Sequence, residues 1–127
     1  MTLNRRRTER EETERLRGWL VYLLYLNRPK PLPLVSLWKL LDQYNQPLIR
    51  RRFVEEIDYV RSLGLIRVFP SDAKEEVDDV TQARLIQRYF DAADEREMGQ
   101  TLLARLTTAG INFQDGITDM PGIQRVD

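Results

Sequence analysis

Three prolines within five residues, in the stretch "NRPKPLP" at 27–33, constrain the fold of this chain more than any other feature. Proline fixes φ and lacks a backbone N–H, so a helix that reaches this stretch ends there. The capping-box pattern of Thr8 and Glu11 predicts where that first helix begins. Its apolar residues recur at three- and four-residue steps, which is one helix face: Leu16, Trp19, Leu20, Leu23 and Leu26.

Two further helices are predicted after the prolines. The second carries one apolar face over 34–44: Leu34, Leu37, Trp38, Leu41 and Tyr44. The third carries another: Ile49, Phe53, Ile57 and Val60. Asn45 suits a left-handed helix end, Pro47 suits the first position of the next helix, and Gly64 suits the turn that ends it. Only two or three residues then separate the two helices, a tight helix-turn-helix junction.

A small β-hairpin completes the predicted fold, which is mostly α with a small β component. The runs "LIRVF" at 65–69 and "TLLARLTT" at 101–108 are short and rich in β-forming residues, so they predict two strands that pair. About thirty residues separate them, an acidic stretch and then a further helix. That helix is suggested by Val80, Ala83, Ile86 and Ala93, with Leu85 and Phe90 as alternatives to Ile86.

Composition excludes several kinds of chemistry. The chain has neither cysteine nor histidine, so it lacks disulfides, the commonest metal ligand and the commonest general base. It also lacks a glycine-rich phosphate loop and a nucleophile elbow, and its five carboxylates at 72–79 do not follow a calcium-loop spacing. We therefore expect a non-enzymatic protein without a cofactor or metal. Its longest apolar run, 19–26, is too short to span a bilayer, so we expect a cytoplasmic protein.

The net charge of zero conceals two halves of opposite sign. Through residue 69 there are 14 Lys and Arg against 8 Asp and Glu, a balance of +6. From residue 70 onward there are 6 against 12, a balance of −6. Such asymmetry is typical of nucleic-acid contact or of head-to-tail self-association, and chance clustering on solvated faces is the alternative.

The order of these elements resembles the winged helix-turn-helix superfamily. "YVRSLGLIRV" at 59–68 is similar to the passage from its third helix into the first wing strand, and "RLTTAG" at 105–110 to the turn after the second. The tail "LTTAG…FQDG…MPGIQR" further resembles small proteins of Mu-like phages and prophages. The resemblance implies a domain over 8–116 with an insert at about 71–100, between a flexible basic arm, 1–7, and a tail, 117–127. It also implies a regulator or accessory factor whose third helix lies in the major groove of double-stranded DNA.

The candidate DNA contacts are seven basic residues and one glutamine. Arginine donors suit both phosphates and guanine edges, and an N-terminal arm can follow an adjacent groove. The candidates are Arg50, Arg51, Arg52, Gln46, Lys39, Arg5, Arg6 and Arg7. In the alternative, the triplet forms surface ion pairs with Glu55, Glu56 and Asp58, which lie one or two helical turns further along.

The first helix carries more apolar residues than one face needs, which suggests that it also packs against a second partner. The surplus residues are Val21, Tyr22, Leu24 and Tyr25. A homodimer would cover this surplus through Trp19, Tyr22, Leu23 and Leu26, although the rest of the domain is an equal candidate to do so. A different function remains open beside DNA binding, namely a winged-helix interaction module that assembles with a phage or host protein.

Overall fold

A computed structural model describes residues 2–127 of the chain, with side chains from residue 7 onward. Within that part the chain forms six helices and three strands. In chain order they are α1 (Thr2–Asn27), β1 (Leu32–Pro33), α2 (Leu34–Gln43), α3 (Arg50–Ser62), β2 (Ile66–Pro70), α4 (Asp79–Asp91), α5 (Glu95–Met98), β3 (Leu102–Leu106) and α6 (Thr108–Gln114). The predicted class, mostly α with a small antiparallel β component, is confirmed.

The sheet is antiparallel, with the strand order β1-β3-β2. The predicted hairpin is present, because β2 pairs with β3 from Ile66 opposite Leu106 to Pro70 opposite Leu102. Strand β1 was not predicted. It pairs Leu32 with Ala104, and its two residues are too few to show an alternating pattern.

One apolar core joins α1, α2 and α3 to the inner face of this sheet. On α1 it includes Val21 and Leu24, so the chain's own core covers much of the apolar surplus predicted on that helix. Leu23 is buried as well, whereas Leu26 remains exposed. Among the most deeply buried side chains are Leu20, Leu37, Leu41, Phe53, Ile57, Leu65, Val68, Ala104 and Phe113.

Two helix starts differ from the prediction. Helix α1 begins at Thr2, so Thr8 lies inside it and the predicted start at Thr8 is wrong. The alternating Glu and Arg residues around Thr8 are good helix formers, and nothing there interrupts the helix. Helix α3 begins at Arg50, so Pro47 is not its first residue.

The connection between α2 and α3 is longer than predicted. Asn45 adopts the expected left-handed conformation, with φ of 59°. The chain then has no regular secondary structure as far as Ile49, and Trp38 Nε1–H donates to the carbonyl of Leu48 over 2.8 Å. Because Ile49 precedes the helix in an extended conformation, 72% of it is exposed, and its predicted place in the core is wrong.

A buried glutamine holds helix α4 against β2. Gln82 Oε1 accepts a hydrogen bond of 2.9 Å from the Val68 N–H, and Gln82 Nε2 donates to the Val77 carbonyl over 3.0 Å. The buried face of α4 consists of Gln82, Leu85, Ile86 and Tyr89. The predicted face is wrong at Val80 and Ala83, which are exposed, because the true stripe includes a polar residue.

The segment 117–127 packs onto the first helix. Gln124 N–H donates to the Glu14 carbonyl over 2.9 Å, and Arg17 Nη1 donates to the Gly122 carbonyl over 2.9 Å. A Cβ atom on Gly18 would lie only 1.7 Å from the Gln124 carbonyl oxygen, so glycine is required for this close approach. Within residues 2–127, none of the helices combines the length and apolarity needed to cross a membrane.

Candidate functional site

Arg50, the first arginine of the triplet, fastens α4 to the start of α3. Its Nη1 donates to the Ala92 carbonyl over 2.6 Å, and its Nη2 donates to the Tyr89 carbonyl over 2.7 Å. Its guanidinium also lies 4.3 Å from the centre of the Tyr89 ring. These carbonyls belong to the C-terminal end of α4, where acceptors lack helical partners and the helix dipole attracts a cation.

Arg52 joins a buried ion cluster between α3 and α1. Glu56, 3% exposed, is one turn further along α3, and its Oε1 lies 3.3 Å from Arg52 Nη2. On its other side, Arg17 Nε of α1 donates to Glu56 Oε2 over 2.5 Å. Arg52 Nη2 also donates to Thr13 Oγ1 over 2.6 Å. The Glu56 carboxylate therefore lies between two guanidinium groups, which compensate for its loss of water.

Arg51 is the member of the triplet that faces solvent, with 74% of its side chain exposed. Its Nε lies 3.5 Å from Glu55 Oε1, and its guanidinium lies 5.5 Å from the centre of the Phe90 ring. An exposed ion pair of this kind contributes about 0–1 kcal/mol, so Arg51 remains available to a partner. The expected pairing at four-residue spacing is thus observed for both Arg51 and Arg52.

The other predicted contacts do not form one surface with the triplet. Lys39 is exposed on α2 and makes no ion pair with any residue from 7 to 127. Gln46 is half-buried in the α2–α3 connection and borders a cleft of about 700 Å³ that Arg52 also lines. Arg7 pairs with Glu11 over 3.2 Å along α1. The side chains of Arg5 and Arg6 lie outside the described residues.

The acidic stretch at 72–79 folds back toward the sheet. Arg67 Nε of β2 lies 3.2 Å from Glu76 Oε1, and Arg67 Nη2 donates to the Val77 carbonyl. Arg105 of β3 is directly opposite Arg67 in the strand pairing. A phosphate that approaches this part of the sheet would therefore meet carboxylates beside the arginines.

A groove that the sequence did not reveal lies between the end of α1, β3 and α6. It has a volume of about 500 Å³ and an apolar floor of Leu24, Leu106 and Ile111. Its charged lining residues are Arg28, Lys30 and Arg105, and no carboxylate lines it. We call these six residues the basic groove. Its cations are scattered along the chain, so no charge run in the sequence pointed to them.

Arg28 is held at the rim of the basic groove by Tyr25. Its guanidinium lies 3.6 Å from the centre of the Tyr25 ring, and Nη1 donates to the Tyr25 carbonyl over 2.8 Å. The Tyr25 hydroxyl donates to Asp115 Oδ1 over 2.5 Å, and this hydrogen bond raises the pKa of Tyr25 above its ordinary value. Asp115 does not line the groove, and the three cations make no ion pair with a described side chain.

Comparisons with protein-family models, with curated proteins and with solved structures found no match to this chain. Between residues 7 and 127, no group of three or more acidic side chains is arranged to hold a metal ion. Function is therefore inferred from the chain's own geometry, in which the candidate cationic surfaces are the exposed Arg51 and Lys39 and the basic groove.

Proposed function

We propose that this chain is a winged-helix protein that binds double-stranded DNA as a homodimer. The observation that carries the proposal is the topology: three helices, a short strand before α2, and a hairpin after α3, in the sheet order β1-β3-β2. In winged helix-turn-helix proteins the helix before the hairpin enters the major groove. Here α3 leads into β2 through Gly64, whose φ of 78° favours glycine.

The structure supports a division of labour within the arginine triplet. Arg50 donates hydrogen bonds to α4, and Arg52 contacts Glu56 and Thr13. Their role in the proposal is therefore to fix the position of α3. Arg51 is the residue proposed to reach the DNA, because its guanidinium is exposed and can donate two parallel hydrogen bonds to a phosphate or a guanine. Lys39 of α2 is proposed as a second phosphate contact.

Fluorescence anisotropy with a labelled mixed-sequence duplex tests the proposal. We expect binding that weakens as KCl rises from about 50 to 300 mM, because each neutralised phosphate adds about 0.9 to the log–log slope. Arg51→Ala and Lys39→Ala should each weaken binding and lower that slope by about one. Arg96→Ala is the matched control, since it also removes an exposed cation, from α5, outside the α2–α3 unit. Absence of salt-sensitive binding at about 100 µM protein, the weak limit of non-specific binding, would contradict DNA binding.

A second candidate function is an interaction module that assembles with a phage or host protein and does not bind DNA. It is favoured by the internal contacts of Arg50 and Arg52, and by the acidic stretch that pairs with Arg67. Under this alternative, the anisotropy titration stays flat for the wild type, while light scattering still detects a stable assembly.

A further inference from the structure

The basic groove has the features of a site for an anionic, partly apolar ligand. Three cations surround an apolar floor, and no described carboxylate lies within ion-pair distance of any of them. A concave surface with charges of one sign and low-dielectric walls concentrates its potential and attracts the opposite charge. Its volume of about 500 Å³ lies in the range of ordinary ligand pockets and exceeds what one or two waters fill.

The same chain exposes a segment with the complementary chemistry, 72–80, which we call the acidic segment. Its Val80 is 61% exposed although it is a large apolar residue. Asp79 precedes Val80, and Glu75 lies in the loop before them; neither carboxylate makes an ion pair with a described residue. The segment thus offers one apolar anchor preceded by free carboxylates, with Lys74 as its single cation, and the groove has the opposite balance of charge.

The two surfaces adjoin on one molecule. Arg105 lines the basic groove and also lines a cavity of about 380 Å³ that Glu75 and Glu76 border. When two complementary patches are adjacent, a two-fold axis between two copies brings each patch onto its counterpart, so that one closed dimer makes the contact twice. The opposite charges of the two halves, +6 and −6, leave no net repulsion between copies.

We propose that the basic groove binds the acidic segment of a second copy of this chain, so that two reciprocal contacts form a two-fold homodimer. Carboxylates such as Asp79 and Glu75 pair with Lys30 and Arg105, and Val80 packs on the apolar floor. This interface is separate from the first-helix face of Trp19, Tyr22 and Leu26. The dimer requires no DNA, so its failure and the failure of DNA binding are measured separately.

The test uses two chains with opposite charge reversals, measured by sedimentation velocity. Lys30→Glu with Arg105→Glu makes the groove acidic, and Glu75→Lys with Asp79→Lys makes the segment basic. Each chain alone should be monomeric, because both of its contacts become repulsive and the dissociation constant rises by about tenfold or more. An equimolar mixture should form a heterodimer, because one contact is then wild-type and the other has exchanged its signs.

Controls make every outcome decisive. Far-UV circular dichroism confirms that each variant is folded, and Leu26→Ser on the first-helix face should leave the dimer intact. The proposal is overturned if the wild type is monomeric at about 100 µM, which includes the case in which an unrelated acidic protein occupies the groove. It is equally overturned if the reversed chains remain dimeric alone, if their mixture stays monomeric, or if only Leu26→Ser dissociates the dimer.

Discussion

The arginine triplet at 50–52 and the basic groove show opposite relations between sequence and surface. The triplet is contiguous in the chain, yet consecutive helical residues point about 100° apart, and its members contact α4, solvent and α1 respectively. The cations of the basic groove are dispersed in the chain, yet they meet at one groove that no described carboxylate lines. A basic run is therefore a weak guide to a basic surface when carboxylates follow at helical spacing.

The largest loss of stability is expected at Glu56, and its exposed neighbour Glu55 serves as the comparison. Glu56→Gln removes the negative charge between two arginines, and we expect a loss of about 3 kcal/mol in the free energy of unfolding, since breaking a buried pair leaves uncompensated charge. Glu55→Gln, in the exposed pair with Arg51, should change it by less than about 0.5 kcal/mol. Urea denaturation measures both. Equal effects would show that the Glu56 cluster does not hold α3 to α1.

Arg50 and Arg51 form the next matched pair. Arg50→Ala leaves the Tyr89 and Ala92 carbonyls without their charged donor. We therefore expect a loss of about 1.5–3 kcal/mol in the free energy of unfolding and faster hydrogen exchange in α4. Arg51→Ala should cost less than about 0.5 kcal/mol. Native-state hydrogen exchange of the α4 amides gives the readout. An unchanged exchange rate in Arg50→Ala would mean that α4 is held by Gln82 and its apolar contacts alone.

Two neighbouring carboxylates of the acidic segment differ, because Asp78 accepts a hydrogen bond whereas Asp79 makes no ion pair with a described residue. Asp78 Oδ1 accepts a hydrogen bond from Thr81 N–H over 2.7 Å, and hydrogen bonding from Thr81, through its side chain first and this backbone N–H second, lowers the pKa of Asp78 below its ordinary value. A lowered folded-state pKa contributes stability that is present above the unfolded value and is lost as the pH falls through the folded value. We expect the N-terminus of α4 to loosen in that acidic range. A carbon-detected NMR titration in which Asp78 titrates at or above the ordinary aspartate pKa would contradict this.

The smallest stability effect is expected in the basic groove. Lys30→Ala combined with Arg105→Ala should change the free energy of unfolding of the monomer by less than about 0.5 kcal/mol, because neither side chain makes an ion pair with a residue from 7 to 127. A thermal melt at a protein concentration below the dissociation constant of the dimer measures the stability of the monomer alone. A loss comparable to that of Arg50→Ala would show that the groove is a structural feature and would weaken its assignment as a binding surface.

The periodicity of the sequence was sufficient to predict the helical framework and the hairpin. The buried stripes of α2 and α3 and the left-handed Asn45 and Gly64 are local features, and they were found where the pattern predicted them, except at Tyr44 and Ile49, which are exposed. Predictions failed where a tertiary contact overrode the local pattern. Gln82 is buried because β2 supplies its partners.

The candidate site was less predictable than the fold. The triplet was visible, but its partners in α4 and α1 lie 39 to 42 residues away in the chain, beyond the reach of any helical spacing rule. The basic groove depends on the meeting of α1, β3 and α6, which no single segment encodes. Exposed Val80 appeared in the sequence as a core residue, because periodicity alone does not reveal which face of a helix is covered.

The packing of the tail on α1 has a consequence for synthesis in the cell. Arg17 donates to Gly122, 105 residues later, so the face of α1 around Gly18 stays uncovered until nearly the whole described chain has been translated. At about 5–20 residues per second, that interval lasts on the order of 5–20 s. During that time the nascent chain presents an apolar helix before the segment that completes its packing has been made.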